Sequence, residues 1–193
     1  MNHKGFTLTE VLTVIIILAV LATMAIPMYD KAIERSHIAE AHAVLRQMLE
    51  SKQRTLNSMN KPFYTENDTP LFGIGQLDMS INCSRGGGGG ESFCQTKDFR
   101  YTLLPTVNSL PKGISLLTDE GGTVTPGDEG FENYSSLAVC AARCGGEHSG
   151  TSFLYLGGLT ASREKMFCHG NTREDCEIYG MASVGNDHWC NCN

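Results

Sequence analysis

The polarity of the chain changes character along its length. From Phe6 to Tyr29 run 24 residues whose one formal charge is Glu10. A helix crossing a bilayer needs roughly 20 apolar residues, so this stretch predicts one membrane-spanning helix. Ten Val, Leu and Ile residues stand between Val11 and Ile26; at about −0.5 kcal/mol each they favour insertion by on the order of 5 kcal/mol. A carboxylate at the bilayer centre would cost about 3 kcal/mol, and Glu10, near one end, costs less. Pro27 lacks an N–H and its ring crowds the preceding turn, so the helix is expected to kink or locally melt there.

From Asp30 the pattern becomes amphipathic. Ile38, Ala41, Leu45, Met48, Leu49, Lys52 and Leu56 recur at spacings of three and four, which places one stripe on a helix face. Glu34, Arg35, Glu40, Arg46, Glu50 and Arg54 fall mostly off that stripe. The two halves make one helix of about 50 residues, roughly 75 Å long at 1.5 Å per residue. One small domain cannot bury a helix of that length, so its first half requires lipid or neighbouring subunits. Helix signals stop around Asn57–Asn60, and Pro62 closes the element.

Residues 58–98 then read as a long connection whose Gly86–Gly90 run forms a flexible tip inside a Cys83–Cys94 loop. Strand signals follow at 99–104, 113–117, 137–142 and 152–156, the last two separated by a Gly145-Gly146 turn, and segments 165–168 and 178–182 could extend the sheet. A long helix followed by antiparallel strands predicts an α+β domain in which the sheet covers the stripe of residues 38–56.

Composition narrows the class. Twenty-one acidic side chains against 15 basic ones give a net charge of −6, so nucleic-acid binding has no electrostatic footprint. Twenty-one glycines, mostly after residue 72, imply a loop-rich globular part. All eight cysteines lie beyond residue 82: Cys83, Cys94, Cys140, Cys144, Cys168, Cys176, Cys190 and Cys192. An even count beyond a membrane segment suggests disulfides on an oxidising side of the membrane. Cys83–Cys94 and Cys168–Cys176 are the local pairs this spacing suggests; Cys190 and Cys192 sit too close to bridge each other well and are expected to reach different partners.

Rival chemistries fit less well. Cys168, His169, Cys176, His188, Cys190 and Cys192 are zinc-ligand types, but the Cys140-x3-Cys144 and Cys190-x-Cys192 spacings differ from the duplicated pairs of structural zinc sites. The glycine run lacks the lysine and hydroxyl of a phosphate loop. The acidic stretch holding Asp119, Glu120, Asp128, Glu129 and Glu132 offers oxygen ligands of the kind calcium takes, and reads first as a solvated loop. No metal, cofactor or catalytic residue is expected, since no nucleophile stands in a recognisable motif.

Two features exceed what an anchor needs: Gly5 immediately before the apolar run, and Glu10 just inside it. Lys4-Gly5-Phe6-Thr7-Leu8-Thr9-Glu10 resembles the class III signal of type IV pilins and pseudopilins, with Thr9 where Ile or Val is frequent. The resemblance spans roughly residues 1–57. It implies removal of a leader, residues 1–5, by a prepilin peptidase cutting between Gly5 and Phe6, and N-methylation of Phe6. It also implies a polymerisation segment (6–29), an amphipathic half (30–57) and an extracytoplasmic globular domain (58–193). Glu10 would then pair with the terminal amine of an adjacent subunit, and Pro27 would let helices pack in a filament. The implied partners are other pilin subunits, the peptidase, an inner-membrane assembly platform and lipid. The implied locations are the inner membrane before assembly and an extracytoplasmic filament after it, with late cysteines stapling the C-terminal segment onto the sheet. The residues leave two alternatives open: a secretory signal cut after Ala25, which leaves Gly5 and Glu10 unexplained, and a membrane-anchored binding module or enzyme.

Overall fold

The computed structural model describes residues 7–59, 73–87, 92–104, 116–117, 123–125, 137–146, 148–158, 164–184 and 190–192. Helix α1 spans Leu8–Met59, 52 residues, or about 78 Å at the usual rise. It runs without interruption through Pro27, so of the kink or local melting expected there the melting does not occur. One missing hydrogen bond is bridged by intact turns on either side. The helix ends where the turn-forming residues begin, as anticipated.

Six strands form one antiparallel sheet: β1 (Arg85–Gly86), β2 (Phe93–Gln95), β3 (Phe99–Leu103), β6 (Leu137–Arg143), β7 (Ser152–Gly158) and β8 (Lys165–Gly170), in the order β1-β2-β3-β6-β7-β8. Strands β4 (Leu116–Leu117) and β5 (Thr123–Val124) pair separately and antiparallel, β5 lying within the stretch read as an acidic loop. Of the strand expected at 113–117, the last two residues are β4; 113–115 lie outside the described residues, as do the acidic side chains from Asp119 to Glu132.

Two expectations need correction. Segment 178–182 does not extend the sheet. A short helix α2 (Glu174–Glu177) precedes it, the chain turns through Gly180 at φ 73°, and the ladder partner that follows is an isolated parallel bridge of Ser183 to Cys168. The connection 58–98 is not structureless either, since β1 and β2 lie within it. Gly86 and Gly87 belong to this hairpin; Gly88–Gly90, the rest of the tip expected there, lie outside the described residues. Gly86 and Gly87 both have positive φ, and a Cβ at Gly87 would come within 2.7 Å of Cys83 Sγ, so only glycine fits this turn.

Alternation along the strands separates two apolar layers. On one face Phe99, Tyr101, Leu103, Val139, Ala141, Leu154, Leu156 and Cys168 meet Ile38, Ala41, Leu45, Met48 and Leu49 of α1. On the other face Ala138, Cys140, Ala142, Phe153, Tyr155 and Phe167 lie under the C-terminal segment through Cys190, Cys192 and Val184. The fold is α+β and pilin-like: helix, sheet and C-terminal cover. The expected stripe is the buried one from Ile38 to Lys52; the side chain of Leu56 lies outside the described residues.

Candidate functional site

The helix is divided by its surroundings. Every described residue from Thr7 to Ile33 is exposed, including Leu12, Ile16, Leu18 and Leu21, whereas burial begins at Glu34. A run of exposed aliphatic side chains this long is not a soluble surface. The helix is long and apolar enough to cross a membrane.

Gly5 and Phe6 lie outside the described residues. Immediately after them the helix start is built by Thr7. Its N–H and Oγ1–H donate to Glu10 Oε2 at 3.2 and 3.0 Å, while Glu10 N–H donates to Thr7 Oγ1 at 3.3 Å. Val11 N–H closes the first turn on Thr7 O at 3.3 Å. This reciprocal arrangement is a capping box. It satisfies two donors that a helix end leaves without partners and gives the Glu10 carboxylate two donors from its own chain. The Thr-x-x-Glu spacing before an apolar run carries that signal in the sequence.

Pro27 sits inside the exposed half, clear of the sheet. The docked half carries charges where an apolar stripe is expected. Glu34 lies four residues before Ile38 and seven before Ala41, so it continues the seam and is buried at 7% exposure rather than lying off it. Its Oε2 and Oε1 accept from Arg143 Nε and Nη2 at 3.2 and 3.0 Å. Arg143, at the end of β6 and 2% exposed, also donates through Nη1 to Asp98 Oδ1 at 3.1 Å and to Asp98 O at 3.0 Å. Burial disfavours the Arg143 charge, but the bonds to Glu34 and then Asp98 outweigh it, so its pKa is raised. His37 Nδ1 stands 3.9 Å from the other Asp98 oxygen.

At the opposite end of the seam Lys52 is buried and donates through Nζ to Leu104 O at 2.7 Å and Ala138 O at 3.2 Å. Burial lowers its pKa to about 7. Leu104 N–H also donates to Ala138 O at 3.2 Å, so Lys52 ties the helix to the point where β3 leaves the sheet and β6 enters it. Two residues on, Arg54 Nε and Nη2 donate to both oxygens of Asp78 at 2.6 and 2.9 Å. Ser51 Oγ–H donates to the same carboxylate and accepts from Asp78 N–H at 2.9 Å. Arg54 first, then Ser51, holds Asp78 at about 2.

The eight cysteines form four disulfides: Cys83–Cys94, Cys140–Cys190, Cys144–Cys192 and Cys168–Cys176. The two local pairs suggested by spacing are among them, and Cys190 and Cys192 reach separate partners, Cys140 on β6 and Cys144 immediately after it. Among the described residues no group of three or more His, Cys, Asp and Glu side chains is arranged to hold a metal ion, and the thiols that zinc would need are bridged.

Residues 1–26 match the family described as the prokaryotic N-terminal methylation motif. The chain therefore carries, ahead of a pilin-like fold, the class III prepilin signal of type IV pilins and pseudopilins. No curated protein and no solved structure matches the chain.

Proposed function

We propose that this chain is a structural subunit of a type IV pilus or of a type II secretion pseudopilus. It is cut between Gly5 and Phe6 by a prepilin peptidase, N-methylated on Phe6, held in the inner membrane by residues 6–29, and polymerised through that same segment into an extracytoplasmic filament. The observation that carries this reading is the conjunction of the methylation motif with a helix whose first half is wholly exposed and apolar while its second half is docked on a folded domain. Such a helix has two sets of neighbours. Its own sheet covers residues from Glu34 onward, and lipid and then other subunits cover what precedes it. In the filament the terminal amine of a neighbouring Phe6 replaces the Thr7 donors on Glu10, a charge-assisted bond exchanged for neutral ones. Pro27 leaves one carbonyl of the packed half without its helical donor.

The mature N-terminus tests the processing. Mass analysis of the protein recovered from its native host is expected to find N-methyl-Phe6; a chain beginning at Ile26 would instead identify a secretory signal. Glu10→Ala is expected to leave membrane insertion intact and to reduce filament yield severely. A normal yield from that variant removes Glu10 from assembly.

A further inference from the structure

Alternation along the strands also sorts charge between the two faces of the sheet. Of the described strand residues with a formal charge, Arg143 is in register with Phe99 and faces α1. Arg85, Arg100 and Lys165 belong to the other face. Its charged strand positions are therefore all cationic, on a chain whose net charge is −6. On the β1–β3 part of that face Arg85 is exposed, and Phe93, Gln95, Arg100 and Thr102 are half-buried. Arg85, Gln95 and Arg100 lie side by side across three strands. Arg100 lays its guanidinium over the Phe93 ring, 3.9 Å from the centroid. The ring in turn packs on Gly86, where a Cβ would come within 2.6 Å of its Cε2. Arg46, Arg54, Arg143 and Arg173 each hold a carboxylate within 3.3 Å; among the described residues Arg85 holds none. Burial first, and then the charge of Arg85, lower the pKa of Arg100. The two cations thus stand close enough to repel, and an anion placed on them relieves the repulsion.

We propose that the β1–β3 end of this face is a binding site for an anionic glycan, Arg85 and Arg100 receiving the carboxylates of its uronic acid residues. The inference is independent of the filament reading. A guanidinium fork meets a planar carboxylate with two parallel hydrogen bonds, and the Phe93 ring fixes one fork in advance, which reduces the entropy lost on binding. Three observations select this class of partner. Among the described residues, the exposed large apolar side chains all belong to the first half of α1, from Leu8 to Ile33. The cationic face therefore lacks the apolar centre around which a protein interface is built. Secondly, Arg85 and Arg100 stand two strands apart, roughly 10 Å between backbones at about 4.8 Å per strand. A polymer with widely spaced charges meets that separation. A nucleic acid strand, with about one charge per 3.4 Å, would bring its remaining phosphates against an acidic protein. Thirdly, the Phe93 ring already carries Arg100 and does not stand free for a base to stack on.

The test uses the full chain in detergent micelles with three probes: a short oligogalacturonate, the same oligomer methyl-esterified, and a single-stranded oligodeoxynucleotide of equal charge. Titration calorimetry is expected to find binding of the oligogalacturonate that weakens as salt is raised and disappears on esterification. Arg85→Gln and Arg100→Gln should each weaken it by about tenfold, the loss of one charged hydrogen-bonded contact. Arg173→Gln, which alters an arginine whose side chain is 87% exposed beyond the opposite edge of the sheet, should leave it unchanged. Arginine modification by phenylglyoxal, mapped by mass, reads the same contact in the unaltered chain and so does not depend on a variant folding. The oligogalacturonate should protect Arg85 and Arg100 and leave Arg46 and Arg173 reactive. The proposal is overturned if the oligomer does not bind, if its ester binds as well, or if Arg85 and Arg100 gain no protection. It is equally overturned if folded Arg85→Gln or Arg100→Gln binds like the parent, if Arg173→Gln weakens binding as much, or if the oligodeoxynucleotide binds more tightly than the glycan.

Discussion

Replacing Arg143 with Met tests whether the helix is locked to the sheet by a buried charge cluster. Arg143 is 2% exposed and Glu34 7%, and the two share a pair of bonds at 3.0 and 3.2 Å. Asp98 is the outer partner, with 26% of its side chain exposed. Methionine fills most of the arginine's volume, so the cavity contribution is small and the electrostatic one dominates. Removing the cation leaves the Glu34 carboxylate buried without its partner, a change that typically costs about 3–5 kcal/mol. Asp98 turns toward water and adds little. Arg143→Met should therefore destabilise the folded domain by about 3 kcal/mol or more.

The double variant Glu34→Leu/Arg143→Met removes both charges. It should recover to within about 1 kcal/mol of the parent, because well-packed apolar replacements of buried pairs are often neutral or better. Urea denaturation of the full chain, followed by tyrosine near-ultraviolet dichroism with the disulfides intact, supplies the four corners of a double-mutant cycle. The coupling should come to about 2–3 kcal/mol. If Arg143→Met costs less than about 1 kcal/mol, as an exposed ion pair would, or if the double variant is no better than the single one, the cluster is not the lock described here.

Three further outcomes are expected. Lys52 has a folded-state pKa lowered from 10.5 to about 7 by burial. The unfolded chain then holds a proton that the folded one has released, so stability should rise with pH from about 7 toward 10, by up to about 1.4 kcal/mol per pH unit; Lys52→Met should flatten that rise in a pH series of denaturation midpoints. Asp78 is held at about 2 by Arg54 first and Ser51 second. What it contributes is present above its ordinary value of 3.8 and is lost as pH falls through 2, so Asp78→Asn should abolish proton uptake on unfolding in that acid window, read by potentiometric titration. Gly87→Ala places a methyl group 2.7 Å from Cys83 Sγ at φ 83° and should lower stability by at least about 1 kcal/mol, measured as the shift in denaturation midpoint with the disulfides formed.

The parts of the fold that were legible in the sequence are those with a period. The stripe from Ile38 to Lys52, the end of α1 and the strands β3, β6, β7 and β8 all repeat over enough residues to declare their geometry. Strands β1 and β2 are two and three residues long, too short for alternation to register, and a glycine-rich stretch with two cysteines reads as loop by composition. Segment 178–182 has the residues of a strand, but the Cys168–Cys176 bridge ties α2 against the sheet and Gly180 turns the chain away. Here a covalent constraint overrode local preference.

The charged residues of the seam were harder to read, for a physical reason that also bears on how the helix works. Periodicity searches treat charge as the mark of a solvent face, so Glu34 was placed outside although its phase is that of the buried row. Lys52 kept its place in the row only because its neighbours are apolar. Both are buried, one at each end of the seam, and both are satisfied by β6: Glu34 by the side chain of Arg143 and Lys52 partly by the carbonyl of Ala138. An apolar helix face tolerates sliding along a sheet, because every shift by a turn exchanges one aliphatic contact for another. A polar group with fixed partners at each end does not. Sliding α1 by one turn, about 5.4 Å, would strand Glu34 and Arg143 without each other and pull Lys52 from its carbonyls. The polar pins therefore set a register that apolar packing alone leaves loose, a use of buried polar groups for specificity more than for stability. For a helix with one half in its own domain and the other among neighbours or lipid, a fixed register ties the position of the domain to that of the exposed half. The Arg143 cycle and the pH dependence of Lys52 probe the two ends of that tie separately, and a variant lacking both pins should retain its secondary structure while losing the unique docking of helix on sheet.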